Sequence, residues 1–312
     1  MKKTLFKIFP ILIVLTFTIL FFIKSEKLPI ITIYSIKIFI NNIFPTLFPM
    51  FIISNLLIEL NFPYYLGKLF KRIFYILFKA PPLASFIFFM SMFTGFPSSS
   101  KYLEDLRKKD LITDLDIEKT LMFTFFSNPL FIIGMIGGIL FKNKKIGLYI
   151  FISHLLGNIL TGIIFRNYKV NKNTNYMSYI KTSKNNNLLQ VLENSITNSS
   201  LVLMNVFFFF YFFLLIISSL FSLDNIFSVF LAGIFEMTTG LKYLSNLDIS
   251  LYIKIYLSVF FISFGGLSVH FQIFSILNKR KIKYLPFLIS RIIHSVISVI
   301  IIYIIILLDK LF

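Results

Sequence analysis

The chain of 312 residues contains no cysteine, few acidic residues and little charge of either sign. The absence of cysteine excludes disulfides, thiol nucleophiles and thiolate metal sites. Only 14% of the residues are charged and 57% are hydrophobic, whereas roughly a quarter of an ordinary soluble domain is charged. This composition excludes a soluble globular protein and indicates an integral membrane protein.

The sequence also lacks the motifs on which common enzymes depend. It has no Walker loop, no GxGxxG after a strand, no HExxH and no arrangement of a nucleophile, a base and an acid like that of a catalytic triad. Lys and Arg total 31 against 13 Asp and Glu, but they are spread between apolar runs rather than gathered on one basic face. We therefore expect no enzyme activity, no cofactor, no metal site and no nucleic-acid partner.

Apolar runs long enough to cross a bilayer, about 20 residues each, recur along the chain. Two less regular apolar segments lie at 83–100 and 252–277. The predicted spans are 5–23, 30–58, 121–140, 146–165, 196–221, 226–243 and 285–308. The predicted fold is an all-α polytopic membrane protein with about seven spanning helices and two re-entrant or broken segments, which makes eight or nine membrane segments in all.

Basic residues in the loops predict the orientation, because Lys and Arg accumulate on the cytoplasmic side. If all nine segments cross the membrane, the two sides carry 14 and 15 basic residues. If 83–100 and 252–277 instead enter from the cytoplasm and return, the sides carry 23 and 6. We therefore predict a cytoplasmic N-terminus and two re-entrant segments. The alternative is that both are kinked spans whose glycines allow close helix packing.

The segments divide the chain into two halves, each with one interrupted segment, which is the pattern of a secondary transporter. The predicted regions are an N-terminal transmembrane anchor (1–29), a first half (30–168), a polar cytoplasmic linker (169–195) and a second half (196–312). The anchor resembles a signal peptide but lacks a small-residue cleavage site. Two shorter patterns stand out: residues 64–79 predict a basic amphipathic helix on the inner leaflet, and residues 101–119 predict a solvated cytoplasmic helix.

The two interrupted segments supply most of the candidate substrate-binding residues. Glycine and proline break the helices there, and the small hydroxyls, backbone amides and positive helix end that follow the first break favour an anion. The alternative for the serines is N-capping of a cytoplasmic helix. The candidates are Gly95, Pro97, Ser98, Ser99, Ser100, Lys101, Gly265, Gly266 and His270.

Three further polar residues lie inside predicted spans. Asn128 precedes a proline and either presents its amide to a ligand or belongs to a capped kink. Glu236 is assigned to ion coupling by H⁺ or Na⁺, or else to a structural role, either as a partner of Arg291 or in hydrogen bonding to a neighbouring helix end. Arg291 offers a bidentate fork to a substrate carboxylate, or snorkels to the interface. The remaining histidines, His154 and His294, are expected to form interhelical hydrogen bonds.

Six ordered motifs carry a resemblance to a known family. They are Asn41–Phe51 (NNIFPTLFPMF), Gly95–Lys101 (GFPSSSK), Ser127–Gly134 (SNPLFIIG), Ser153–Asn158 (SHLLGN), Gly233–Glu236 (GIFE) and Ser263–His270 (SFGGLSVH). Together they resemble the YlbJ family of sporulation integral membrane proteins. That family belongs to a broader group with nucleoside-recognition or gate domains, similar to concentrative nucleoside transporters and to the membrane part of ferrous-iron transporters.

The resemblance implies a gate-like fold in each half and a transport function. The implied substrate is dipicolinic acid, a small aromatic dicarboxylate, carried across the outer forespore membrane during sporulation. A non-transporting membrane scaffold, or a nucleoside or metal-ion transporter, are the alternatives. The expected partners are thus a small anionic substrate, the lipid bilayer and a coupling ion, while the oligomeric state stays open.

Overall fold

The architecture was determined as a computed structural model that describes residues 14–16, 18–19, 21–170, 187–278 and 280–309. These residues form helices and turns without a β-strand, so the predicted all-α fold is confirmed. In chain order the helices are α1 (Ser25–Glu59), α2 (Phe62–Phe78), α3 (Ala84–Thr94), α4 (Ser98–Lys108), α5 (Asp114–Leu121), α6 (Leu130–Leu140), α7 (Lys144–Ile164), α8 (Leu188–Leu220), α9 (Ile226–Phe235), α10 (Met237–Asn246), α11 (Leu251–Phe264), α12 (Gly266–Ile276) and α13 (Tyr284–Asp309).

Four predicted spans correspond to long apolar helices of crossing length, namely α1, α7, α8 and α13. Polar side chains at Asn143 and Asn187 accept hydrogen bonds from the first free amides of α7 and α8, which fixes where these helices begin. α1 passes through a π-helical turn at Phe39–Ile43 just before Pro45, whose ring nitrogen has no proton to donate. Of the predicted anchor (1–29), the structure describes residues 14–16, 18–19 and 21–29, and α1 begins within it at Ser25.

Helices α3 and α4 form the first hairpin, with its tip at Gly95–Pro97. The Thr94 hydroxyl lies 2.6 Å from that of Ser98, and the Tyr102 hydroxyl lies 3.1 Å from that of Thr94. The second arm therefore returns beside the first. The segment 83–100 turns back as predicted, with Gly95 at φ +80° supplying a conformation that other residues resist.

Helices α9 and α10 form a second hairpin, so the prediction of a continuous span at 226–243 is wrong. The chain becomes extended at Glu236, whose carboxylate caps the first amides of α10. Gly233 and Gly240 then face each other so closely that a Cβ on Gly240 would overlap the backbone of Gly233. A chain with an apolar sequence can thus reverse its direction at one capping residue when glycines allow the two helices to pack closely.

The segment 252–277 is broken rather than re-entrant. Its helix is interrupted at Gly265 and Gly266, both with positive φ, yet α11 and α12 together form one apolar unit of crossing length, Leu251–Ile276. The charge count could not distinguish this arrangement from the predicted one. Moving the hairpin from 252–277 to 226–246 changes the side of only two basic residues, Lys242 and Lys254.

Polar contacts define two opposite ends of the molecule. At one end, Arg280 pairs with Glu104 of α4 at 2.9 Å, and Lys169 pairs with Glu118 of α5. The hydrogen bond to Glu118 raises the pKa of Lys169, which therefore keeps its charge. At the other end, Lys242 of α10 reaches Tyr34 of α1 at 3.2 Å. The two hairpins therefore open toward opposite ends.

The hairpin positions predict a labelling pattern that differs between two loops. Asp248→Cys and Lys281→Cys, each made alone, should react with a membrane-impermeant maleimide from opposite sides, with Lys281→Cys on the cytoplasmic side. The background is clean because the chain has no cysteine. If both thiols react from the same side, the second hairpin is not where the structure places it.

The prediction of a solvated helix at 101–119 is wrong for most of its length. The structure has two helices there, α4 and α5, and Lys101, Leu103, Glu104 and Lys119 are buried in them. Alternating charge signalled ion pairing with other elements rather than exposure to solvent. Residues 64–79 do form a helix, α2, with Lys68 and Lys71 on its exposed side. The four predicted regions stay predictions, and residues 171–186 of the linker lie outside the described residues.

Candidate functional site

Each hairpin tip contacts the break in the span that follows it. A Cβ on Gly95 of the first tip would lie 3.0 Å from the backbone nitrogen of Asn128, between α5 and α6. In the second half, a Cβ on Gly266 would lie 3.0 Å from the backbone nitrogen of Met237 and 3.3 Å from Cα of Glu236. Tips and breaks therefore meet in pairs, one pair in each half.

The two pairs meet each other at Phe125. Its ring stacks on Phe96 of the first tip, with centroids 4.6 Å apart. The same ring lies so close to Gly265 that a Cβ there would overlap it. Three interruptions of helical structure thus meet at one buried aromatic ring, and the fourth, at Glu236, joins them through Gly266.

This convergence gathers eight helix ends in the interior. The N-termini of α4, α6, α10 and α12 and the C-termini of α3, α5, α9 and α11 all lie at the four interruptions. Helix N-termini carry partial positive charge and free amides, which favour anions, whereas C-termini offer carbonyls that favour cations or donors. An interior built in this way can hold charged solutes inside a membrane.

The irregular stretch 122–129 is held by side chains from other helices. The Asn158 amide donates to the carbonyl of Phe125 at 2.9 Å, and the backbone amide of Ser127 donates to Nε2 of His154 at 3.0 Å. Asn128 accepts from the backbone amide of Phe131 at 2.7 Å. Non-helical backbone at membrane depth is tolerated only when such partners replace the missing hydrogen bonds.

Arg291 of α13 is fully buried beside this stretch, so the prediction that it snorkels is wrong. Nη2 donates to the carbonyl of Met122, Nη1 to Nδ1 of His294 at 3.2 Å and Nε to the hydroxyl of Ser290 at 3.3 Å. The guanidinium carbon lies 4.7 Å from the centre of the Phe125 ring.

Within the described part of the chain, no carboxylate lies within salt-bridge distance of Arg291. Glu236 is therefore not its partner. Three of its five N–H groups have partners. A buried cation without a counter-charge is costly, so this side chain is the strongest pointer to an anionic ligand.

The three histidines are fully buried, and each one uses both ring nitrogens. His154 accepts from a backbone amide through Nε2 and so donates through Nδ1 to the Ser263 hydroxyl, 3.1 Å away. His294 donates through Nε2 to the carbonyl of His154 at 2.9 Å. His270 donates to the carbonyl of Phe264 at 2.8 Å. The rings of His154 and His294 each accept at one nitrogen and donate at the other, so they are neutral and form the expected interhelical contacts, whereas His270, predicted to line the site, contacts the hydroxyl of Tyr284 through Nδ1 at 3.1 Å.

Glu236 is 3% exposed and bound by hydrogen-bond donors rather than by a cation. The backbone amides of Thr238 and Thr239 donate to it at 3.1 and 2.7 Å, and their hydroxyls donate at 2.6 and 2.7 Å. Four donors at a helix N-terminus can hold an ionised carboxylate without a basic residue. The residue therefore makes the second hairpin tip.

This arrangement predicts the effect of removing the charge. Glu236→Gln should lower the free energy of unfolding by about 1–3 kcal/mol, because one amide hydrogen-bonding group would face donors that it cannot satisfy. Thermal unfolding in detergent measures this change. Glu193→Gln, at an exposed position of α8, is the matched control and should leave the melting temperature unchanged. An unshifted melting temperature for Glu236→Gln would show that the carboxylate does not hold the tip.

The first hairpin tip uses its serines differently from simple capping. Ser98 and Ser100 donate back to the carbonyls of Gly95 and Pro97, and α4 begins without a side-chain cap. The hydroxyl of Ser99 is buried and has no partner within the described residues. This leaves it available to a ligand at the tip.

Lys101 lies apart from Arg291. It pairs with Asp105 at 2.5 Å and with the Asn55 side chain at 3.2 Å, and its ammonium lies 5.5 Å from the centre of the Phe51 ring in α1. The structure therefore groups Gly95, Pro97, Asn128, Gly265 and Gly266 around Phe125, but directs Lys101 toward α1.

Sequence reasoning missed two residues of this interior. Phe125 carries no local signal, because it is one of 42 phenylalanines. Asn158 lies in the Ser153–Asn158 motif, which indicated a family but not a role. Its Oδ1 atom is buried without a partner in the described residues, although its amide holds the carbonyl of Phe125.

A comparison of the sequence with curated proteins identifies a relative. The chain is 28% identical over 291 residues to the sporulation integral membrane protein YlbJ of Bacillus subtilis strain 168. The aligned region covers 81% of this chain and 71% of the relative. No protein-family model and no solved structure matches the chain.

Proposed function

We propose that the chain, which is similar over most of its length to a sporulation integral membrane protein, is a member of the YlbJ family and a transporter that carries a small organic anion across a membrane of the sporulating cell. The proposed solute is dipicolinic acid and the proposed membrane is the outer forespore membrane, with the N-terminus in the cytoplasm. The observation that carries this proposal is the meeting of four helix interruptions around Phe125 and Gly266, beside a buried arginine without a counter-charge.

The chemistry of the interior suits an aromatic dicarboxylate. The guanidinium group of Arg291 has donors left for one carboxylate, and a fork of this kind binds carboxylates in bidentate fashion. Positive helix ends surround the same place. The rings of Phe96, Phe125 and Phe287 pack around the same place and give it the aromatic character that suits a flat heteroaromatic solute.

The hairpins supply the elements that could move. The first hairpin and α5 are tied at the cytoplasmic end by the pairs of Glu104 with Arg280 and of Glu118 with Lys169. Release of these pairs would open a path to the interior from that end while the second hairpin closes the other. Glu236 at the second tip is the proposed site for a coupling H⁺ or Na⁺.

Transport of purified protein in vesicles tests this function. Terbium(III) trapped inside phosphatidylcholine vesicles becomes luminescent when dipicolinate enters and binds it, so the signal reports uptake directly. Vesicles with the protein should gain luminescence faster than protein-free vesicles, and unlabelled dipicolinate analogues without carboxylates should not compete. Equal rates in both kinds of vesicle would favour the membrane scaffold, and competition by nucleosides would favour a nucleoside carrier.

A further inference from the structure

A groove with a volume of about 430 Å³ runs between α1, α8 and α10, away from the interior described above. We call it the α1–α8–α10 groove. Most of its length is apolar, lined by Ile30, Ile31, Leu214 and Ile217. Ile30 is 69% exposed on an apolar helix of membrane-crossing length, so we infer that the groove opens toward lipid.

Two basic residues line the groove. Lys27 and Lys242 both line it and are exposed, and within the described residues neither lies in an ion pair. The Lys242 ammonium lies 4.4 Å from the centre of the Tyr34 ring, which holds it over the groove. Two acidic residues adjoin this lining in sequence. Asp224 is bound to the side chains of Ser222 and Asn225, and Glu26 precedes Lys27 without an ion pair to either lysine among the described residues.

We propose that the α1–α8–α10 groove binds one anionic phospholipid, with the phosphate between Lys27 and Lys242 and an acyl chain along the apolar part. Charge complementarity selects this occupant. Two lysines without an ion-pair partner, on the lining of a mainly apolar groove, match a lipid with a negative headgroup and a hydrocarbon chain, and lysines of this kind attract anionic lipids at the membrane boundary. A small soluble anion would contact the lysines but would leave the apolar part of the groove unfilled.

The groove also touches the second hairpin. Thr239 lines it, and the backbone amide and hydroxyl of the same residue donate to Glu236 at the hairpin tip. A bound lipid therefore packs against the arm that holds the tip. We expect it to fix α10 against α1 and α8 and so to raise the thermal stability of the protein. This inference does not depend on the nature of the transported solute.

The chain has no tryptophan, so a single substitution creates a local reporter. Tyr34→Trp keeps an aromatic ring under Lys242, and lipids with brominated acyl chains quench tryptophan on contact. The test uses phosphatidylcholine vesicles that contain one-fifth phosphatidylglycerol, with either lipid brominated. Quenching by the two brominated lipids should correspond to a roughly tenfold higher affinity of the groove for phosphatidylglycerol than for phosphatidylcholine, because two lysines each favour the anionic headgroup. Ile300→Trp, on the exposed side of α13, reports ordinary surrounding lipid and should show no preference.

Charge variants decide the assignment. Adding Lys27→Gln and Lys242→Gln to Tyr34→Trp should abolish the preference, whereas Lys68→Gln with Lys71→Gln, on exposed α2, should leave it intact. Inorganic phosphate at millimolar concentration should not reduce the quenching, because it lacks the acyl chain. Equal quenching by the two brominated lipids at position 34, or quenching by neither, would overturn the proposal. The second of these results would show that a segment of protein covers the groove.

Discussion

Arg291→Met is expected to reduce dipicolinate entry into vesicles by about a hundredfold while leaving the protein folded. Removing one partner of a buried charge pair costs about 2–5 kcal/mol of binding, and an anion bound in the interior would lose its buried cation. The empty protein, however, holds Arg291 without a carboxylate partner. Replacing an unpaired buried charge with an apolar side chain of similar length relieves a desolvation cost, which offsets the lost bond to the carbonyl of Met122.

Two measurements separate these effects. Terbium luminescence reports transport, and thermal unfolding in detergent reports stability. Arg72→Met, at an exposed position of α2, is the matched control and should change neither. If Arg291→Met transports dipicolinate at a rate within threefold of that of the unmodified protein, Arg291 does not bind the transported anion. If Arg291→Met instead lowers both the melting temperature and the transport rate, the role of Arg291 is to support residues 122–129.

Gly265→Ala is expected to lower the free energy of unfolding by about 2–5 kcal/mol, the largest stability change that we predict for a single methyl group. One contribution is the backbone, because Gly265 has φ +86°, where a side chain costs about 1–2 kcal/mol. The other is overpacking, which costs about 1–3 kcal/mol in a well-packed core. The new methyl group would overlap the ring of Phe125.

That ring cannot move aside to relieve the overlap. Phe125 is completely buried, with Phe96 stacked on it and the guanidinium of Arg291 4.7 Å from its centre. Gly134→Ala is the matched control, because a Cβ there meets nothing within 4 Å and its φ is not positive. Unfolding in detergent should leave the control unchanged or slightly more stable. Equal stability of the two variants would show that the breaks do not meet at Phe125.

The sequence was a good guide to where helices are interrupted and a poor guide to how the chain continues afterwards. Gly95, Pro97, Gly265 and Gly266 mark breaks because their backbone chemistry is local. Whether the next helix reverses or continues depends on contacts between arms, which no local pattern shows. The turn at Glu236 illustrates this, since its only signal is an acid followed by two threonines.

The candidate site was predictable to a similar degree. Polar residues inside spans are rare and costly, so Glu236, Asn128 and Arg291 stood out. The orientation of Lys101 could not be foreseen, because Asp105 follows one helical turn later and competes for the same ammonium group. Phe125 could not be identified from the sequence, because its role follows only from its position in the folded structure.

The composition of α4 has a consequence for how the protein is made. This helix has 11 residues, five of them charged, so it is too short to cross a bilayer and too polar to face lipid alone. In the folded protein it packs against α1, which is synthesised before it, and α12, which is synthesised long after it. We therefore expect α4 to reach its final packing only after most of the polypeptide has been translated. Nascent chains stalled before α12 should leave α4 open to protease, and its protection would mark a late step in biogenesis.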